Sequence, residues 1–237
     1  MLDNLIKEPF LGFDEDSLAF LKKLENKKYN NKIWFDKNRN IYEQHIKLPM
    51  RALIDSLTGE LYKIDPSIVV SYKSIFRINR DIRFSKNKQP YKSMSSASFC
   101  FDIIKKPEIP QFYFHFSPDE FLFAGGQYSL DPDKLKKIRK KIYDEFDYFK
   151  KIIAEKKFAK EYGKICGDKL TKLPRGYDDL KTDKKNEALI EILKMKQYYV
   201  FKSYKPELIF NPDLVNLIAH NVKLSYDFTK FLNDAIK

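Results

Sequence analysis

The stretch that decides the fold is residues 111–124, QFYFHFSPDEFLFA. Phe112, Phe114 and Phe116 recur at every second position, which is the period of a β-strand with one buried face. The tripeptide Ser-Pro-Asp at 117–119 is typical of a turn, and apolar residues return directly after it. The stretch therefore predicts a β-hairpin with strands at residues 111–116 and 120–124.

Period-two patterning extends to both sides of this hairpin, and helical patterning surrounds it. We expect one or two strands from Ile68 to Arg83, another from Ala97 to Ile104, and a polar loop between them. Amphipathic helices are predicted before residue 65, and again from Pro132 onward with Asp131 as the N-cap. The order helices, sheet, helices predicts an α+β fold as a single domain over residues 1–237. Its sheet is mainly antiparallel, about residues 66–125 plus later strands, and packs with N-terminal and C-terminal helices.

The composition favours a globular cytoplasmic protein with no membrane segment. Apolar residues make up 43% of the chain. No stretch reaches the roughly 18 apolar residues of a membrane span, and the start lacks the pattern of a signal peptide. Cys100 and Cys166 lie too far apart for a metal knuckle, and we expect both to be reduced thiols.

The net charge of +12 is the strongest global clue to function. A basic surface attracts phosphate-rich partners through its long-range field. Overall composition is a second explanation of the charge. A chain rich in Lys, Asn, Ile, Tyr and Phe carries lysines on every helix, and such lysines have no function of their own. Both explanations stay open at this point.

The segment 77–92, RINRDIRFSKNKQPYK, carries the most specific functional signal. Its alternation places Ile78 and Ile82 on one side of a strand and Arg77, Asp81 and Arg83 on the other. Arg80 falls on the apolar side, where an unpaired cation is costly, so we expect it to be buried against an acid or a bound anion. The segment predicts an anion-binding site formed by Arg77, Arg80, Arg83, Lys86, Lys88 and Lys92.

Other residues are candidates for the same site. The tract from Asn31 to Arg39 contributes Trp34 and Asp36, and Trp34 or Tyr91 could stack on a base or sugar. Arg139 follows the pair Gly125-Gly126, and Arg175 lies in a predicted turn. The alternative is structural, because Arg77 and Arg80 can equally pair with Asp81, Asp102 or Asp55.

Catalytic motifs are scarce. His45, His115 and His220 do not have metal-binding spacing, so no metal site is predicted. The sequence has no GxSxG, CxxC or GxGxxG motif, and nothing in it identifies a cofactor.

The order of short motifs resembles the family known as domain of unknown function 2461. The matching stretches are FLGF 10–13, NNK 30–32, WFDKNR 34–39, Tyr42-Glu43 with Pro49, residues 77–86 with Lys88, PYK 90–92, Gly125-Gly126, Ile138-Arg139 and LPRGY 173–177. The resemblance implies a single α+β domain and supplies no reaction. Two departures matter: Asn87 replaces a common acid, and Asp178 onward replaces an Asp-His-Pro element, so a catalytic histidine there would be missing.

These observations predict a protein that binds a phosphorylated or polyanionic ligand, either nucleic acid or a phosphorylated small molecule, through the Arg/Lys-rich strand and loop. One alternative is an enzyme that acts on a phosphate-containing substrate, with Asp81 or Asp36 as the acid or base. Another is a structural or interaction protein whose arginines are paired internally.

Overall fold

The computed structural model describes residues 9–101, 109–129, 131–182 and 184–237. It confirms the predicted α+β fold class. The strands form one antiparallel sheet in the order β1-β2-β3-β4. Their bounds are β1 Ser95–Cys100, β2 Gln111–Phe116, β3 Phe121–Gln127 and β4 Tyr198–Tyr204.

Helices lie before, between and after the strands. In chain order they are α1 Glu15–Glu25, α2 Lys32–Lys37, α3 Arg39–Tyr42, α4 Leu48–Ile64, α5 Pro132–Asp144, α6 Phe146–Ala154, α7 Lys156–Tyr162, α8 Glu187–Leu193 and α9 Leu214–Ala235. The predicted start of α5 is confirmed, because the Asp131 carboxylate accepts from the Lys134 N–H and Pro132 is the first helical residue. Within the described residues, no helix combines the length and the apolar character that a membrane crossing requires.

The predicted hairpin is confirmed. Phe112, Phe114 and Phe116 of β2 are fully buried, as are Phe121 and Phe123 of β3. The Ser117 N–H donates to the Glu120 carbonyl over 2.9 Å and closes the turn. One face of the hairpin therefore lies in the core, and side chains such as His115 lie on the opposite face.

The prediction of strands from Ile68 to Arg83 is wrong. This part of the chain contains one 3-10 turn at Tyr72–Ser74, and it pairs with other described residues only through isolated bridges, Val69 with Cys100, Ile75 with Ala97 and Asn79 with Tyr91. Between the bridges at Ile75 and Asn79, three residues of this segment, 76–78, lie opposite five residues, 92–96. The hydrogen-bond ladder is therefore interrupted, as at a β-bulge. Apart from residues 102–104, which lie outside the described residues, the next predicted strand corresponds to β1.

The chain divides into two compact units. The first comprises residues 1–102, 113–123 and 203–221, and the second comprises residues 103–112, 124–202 and 222–237. The prediction of one domain over the whole chain stays a prediction. In the second unit Gly126 has φ 115°, and a Cβ there would lie 2.4 Å from the Tyr198 carbonyl oxygen. Gly126 thus lets β3 approach β4 closely.

Candidate anion-binding site

One continuous helical run in the first unit, residues 39–64, forms a wall of the candidate site. It consists of α3, a single π turn at Glu43–Lys47, and α4. Pro49 has no N–H and its ring crowds the carbonyl four residues earlier, so a regular α-helical turn is disfavoured there. The Leu48 N–H donates instead to the Glu43 carbonyl, five residues back. Such π turns occur frequently at functional sites.

The π turn keeps residues spaced four apart on one face of this run. In a regular α-helix, positions four apart drift around the axis, because one turn takes 3.6 residues. One wider turn offsets this drift. As a result Arg39, Glu43, Lys47 and Arg51 all line the same cleft.

We call this cleft the basic cleft. It has a volume of about 340 Å³ and lies within the first unit. Its opposite wall is the extended segment from Ile75 to Asn79, which contributes Arg77. Its lining consists of four cations, one acid, five aromatic residues and three others: Arg39, Lys47, Arg51, Arg77, Glu43, Phe35, Tyr42, Tyr72, Phe76, Tyr91, Ile75, Ile78 and Asn79.

Two of the four cations have acidic partners. Lys47 binds Glu43 over 2.6 Å, and Arg39 binds Asp36 over 2.6 Å. Arg51 and Arg77 form no ion pair with any carboxylate in the described part of the chain. The Arg51 guanidinium lies 5.1 Å from the centre of the Tyr72 ring. The basic cleft therefore carries two guanidinium groups without an ion pair in the described part of the chain, although Arg77 is close enough to Asp81 to help lower the pKa of that carboxyl.

Aromatic hydroxyls add neutral donors to the basic cleft. Burial raises the pKa of Tyr42 to about 12, and the neighbouring Glu43 adds to that increase. The hydroxyl of Tyr42 thus stays protonated at neutral pH and can donate a hydrogen bond. Tyr72 donates its own hydrogen bond to Asp55 over 2.7 Å.

Lys92 lies behind the segment that carries Arg77. Its ammonium donates to the Arg77 carbonyl over 3.0 Å and lies 5.4 Å from the centre of the Phe76 ring. Burial lowers the pKa of Lys92, and the nearby charge of Arg77 lowers it further. Through its hydrogen bond to the Arg77 carbonyl, Lys92 therefore stabilises the extended segment that forms one wall of the basic cleft.

Arg80 differs from the sequence expectation. It is half-buried, and its guanidinium contacts the Ser85 hydroxyl over 3.4 Å instead of an acid. It lines a second cleft of about 450 Å³ that also contains Asn30, Lys92, His115 and Asp119. We call this the histidine cleft. Burial in it lowers the pKa of His115, an effect that Glu120 partly opposes at 3.3 Å.

The loop that follows Arg80 is exposed. Arg83, Lys86 and Lys88 all face solvent, and Asp81 pairs with Arg83 over 2.7 Å. Arg83 holds the pKa of the Asp81 carboxyl below its usual value. Phe84, which the period-two pattern places toward the core, is 96% exposed and lies 5.8 Å from the Arg83 guanidinium. The Arg80 N–H donates to the Pro90 carbonyl over 2.8 Å, and beyond this hydrogen bond the described segment no longer pairs as a strand.

The aromatic candidates of the predicted site belong to the core. Tyr91 is buried and stacks on Phe35 with their ring centres 4.0 Å apart. Trp34 is half-buried and packs against Phe20 and Tyr29. Neither ring is free to stack on a base. Asn31 acts as the N-cap of α2, because its side chain accepts from the Trp34 N–H over 3.0 Å.

Arg139 and Arg175 belong to the second unit, whereas the residues of the basic cleft belong to the first. Arg139 is buried on α5, and Arg175 is exposed. The sequence interpretation also missed two residues that line the basic cleft, Lys47 and Arg51. Their spacing of four from Arg39 is a signal for one helical face, and Pro49 obscures it because proline usually interrupts a helix.

Among the described residues, no group of three or more His, Cys, Asp or Glu side chains is arranged to hold a metal ion. A comparison with curated proteins finds no match for the chain. The family model described as "Conserved hypothetical protein (DUF2461)" matches residues 16–231, which include both walls of the basic cleft, the exposed basic loop and α5. The chain therefore belongs to the DUF2461 family.

Proposed function

We propose that the protein binds a phosphorylated or polyanionic ligand in the basic cleft. The observation that carries the proposal is the pair Arg51 and Arg77, which line one cleft and form no ion pair within the described chain. Guanidinium groups bind phosphate oxygens in a fork, and they do so best where no carboxylate competes. Tyr42 and Tyr72 add aromatic surface beside these charges.

The exposed loop favours single-stranded nucleic acid over a small phosphorylated ligand. Phe84 is almost entirely in solvent, and Arg83, Lys86 and Lys88 are its neighbours in the chain. An exposed aromatic ring among cations provides stacking and charge together, which is how single strands are bound without sequence preference. In this proposal Phe84 stacks on a base, while Arg51 and Arg77 bind backbone phosphates.

The arrangement of the acids argues against the alternative of acid–base catalysis. Asp81 is bound by Arg83 and Asp36 by Arg39, and both carboxylates are exposed. A carboxylate whose pKa is lowered by a bound guanidinium, as in Asp81, is a weaker base than a free one. Among the described residues, the alternative of internally paired arginines describes Arg39 and Arg83 but not Arg51 and Arg77. Asp102, one of the predicted partners, lies outside the described residues.

The test is a titration of a fluorescent oligonucleotide of about 12 nucleotides at several salt concentrations. We expect affinity to fall steeply with salt and to depend little on sequence, as for phosphate-dominated binding. Arg51→Met and Arg77→Met should each weaken binding about tenfold, and Phe84→Ala should weaken it by a similar factor. Lys63→Met removes one exposed charge from the same helical run and serves as the control.

Each outcome decides a different part of the proposal. If Phe84→Ala has no effect while Arg77→Met weakens binding, and pyrophosphate competes as well as the oligonucleotide, the ligand is a small phosphorylated molecule. Equal losses in Arg51→Met, Arg77→Met and Lys63→Met would contradict the basic cleft, because they would show a nonspecific effect of net charge. An affinity that does not change with salt would contradict phosphate binding altogether.

A further inference from the structure

The second unit has a cavity of its own, with a volume of about 540 Å³. We call it the Arg139 cavity. Leu135 and Leu170 contribute its apolar lining, and Lys196 and Arg139 contribute its charges. Tyr128, Ser129 and Gln197 complete the lining. Its size is that of a site for a small ligand rather than of a void between side chains.

Arg139 is buried in this unit without an acid. Its side chain is only 9% exposed, and its Nη2 donates to the Met195 carbonyl over 2.8 Å. Its Nε is buried and forms no hydrogen bond among the described residues, while the guanidinium lies beside the Tyr198 hydroxyl. No carboxylate of the described residues lies within ion-pair distance of it. A buried guanidinium without a paired acid is costly unless another group stabilises its charge.

Several acidic side chains of this unit form ion pairs with lysines and not with Arg139. Glu191 binds both Lys169 and Lys194, which together hold its pKa at about 2. Asp144 binds Lys140, and Glu145 binds Lys141. Among the described residues, Arg139 therefore has no carboxylate as an ion-pair partner.

We propose that the Arg139 cavity binds the oxyanion of a small ligand, a carboxylate or a phosphoryl group, whose apolar part lies against Leu135 and Leu170. The guanidinium of Arg139, a residue that lines the cavity, donates to one oxygen of that group. Lys196, exposed at the rim, supplies a second positive charge, and Gln197 adds a polar side chain. This site is formed by other residues than the basic cleft, so it does not depend on the proposed function.

The experiment measures thermal unfolding with inorganic phosphate, phenyl phosphate, benzoate and sodium chloride at matched ionic strength. The Arg51→Met/Arg77→Met double variant is included so that the basic cleft does not contribute. A ligand that binds only the folded state raises the melting temperature. In the double variant we expect phenyl phosphate or benzoate to raise it more than chloride does, and inorganic phosphate to raise it less than phenyl phosphate does.

Adding Arg139→Met to this background deletes the charge and keeps most of the volume of the stem. We expect the ligand-dependent rise to be lost. A rise that persists, or no rise above that with chloride for any of the oxyanions in the double variant, would overturn the proposal. The larger response, to phenyl phosphate or to benzoate, identifies the phosphoryl or the carboxylate group.

A second pair of variants decides the matter if Arg139→Met does not fold. Lys196→Ala removes the charge at the rim of the Arg139 cavity, and Lys136→Ala removes an exposed charge of α5 that does not line it. The apparent affinity for the better ligand should weaken about threefold in Lys196→Ala and stay nearly unchanged in Lys136→Ala. Equal weakening in both variants would overturn the proposal.

Discussion

The side chain of Asn30 forms two hydrogen bonds to the main chain of Tyr91, a residue 61 positions later. Its Nδ2 donates to the Tyr91 carbonyl over 2.9 Å, and its Oδ1 accepts from the Tyr91 N–H over 3.0 Å. The same Nδ2 donates to the Leu24 carbonyl over 2.6 Å. The buried side chain of Asn30 thus connects Tyr91, which lines the basic cleft, to Leu24 of α1.

We predict that Asn30→Ala lowers the free energy of unfolding by about 3 kcal/mol, because three buried backbone groups lose their partner. Urea denaturation followed by circular dichroism measures the change. The neighbouring Asn31 is the matched control, since it caps α2 and donates one exposed hydrogen bond to the Lys28 carbonyl. Its replacement by Ala should cost about 1 kcal/mol. Equal losses in the two variants would contradict the role given to Asn30.

A second prediction concerns Arg80, which contacts a serine hydroxyl instead of an acid. Arg80→Met should change the free energy of unfolding by less than about 1 kcal/mol, because no carboxylate is left unpaired. The loss of a partner from a buried ion pair would cost about 3 kcal/mol or more. Urea denaturation distinguishes the two values, and Asn30→Ala shows the size of a buried loss in the same protein.

A third prediction concerns acid sensitivity. Burial lowers the pKa of His115 below its ordinary value of 6.5, so the folded chain binds fewer protons at this site than the unfolded chain does. The free energy of unfolding should therefore fall as pH decreases through about 6.5. Glu120 favours the protonated form and reduces this effect.

His115→Gln should flatten the pH dependence between about pH 7 and pH 5. Replacing the exposed His220 by Gln controls for the loss of one imidazole. Urea midpoints at several pH values measure the slope. A variant that keeps the slope of the wild-type protein would show that His115 does not cause it.

The sequence predicts those parts of the fold that local patterns determine. The hairpin at 111–124 follows from period-two burial and a turn tripeptide, and α5 begins where Asp131-Pro132 indicates. The extended segment around Arg77 was predicted as a strand because its alternation is regular. Its pairing is interrupted by the bulge at residues 92–96 on the opposite side. The alternation within the segment carries no information about this bulge.

The candidate site is predicted only in part, for a related reason. Arg77 and Arg39 were identified from their own motifs, and both line the basic cleft. Arg51 joins them only because the helical run continues through Pro49 with a π turn, a departure from the usual effect of proline. Tyr91 was expected to stack on a ligand, and Phe84 was expected in the core. Tertiary packing instead buries Tyr91 and leaves Phe84 in solvent.

The central claim, that the basic cleft binds phosphate through Arg51 and Arg77, is tested most directly by nitrogen-edited NMR of the arginine Nε–Hε groups. Arg→Lys variants assign the signals, and pyrophosphate is titrated into the wild-type protein. We predict that the signals of Arg51 and Arg77 shift together along one binding curve, while those of Arg39 and Arg83, already paired with acids, shift much less. Saturable binding that leaves the Arg51 and Arg77 signals in place would contradict the account.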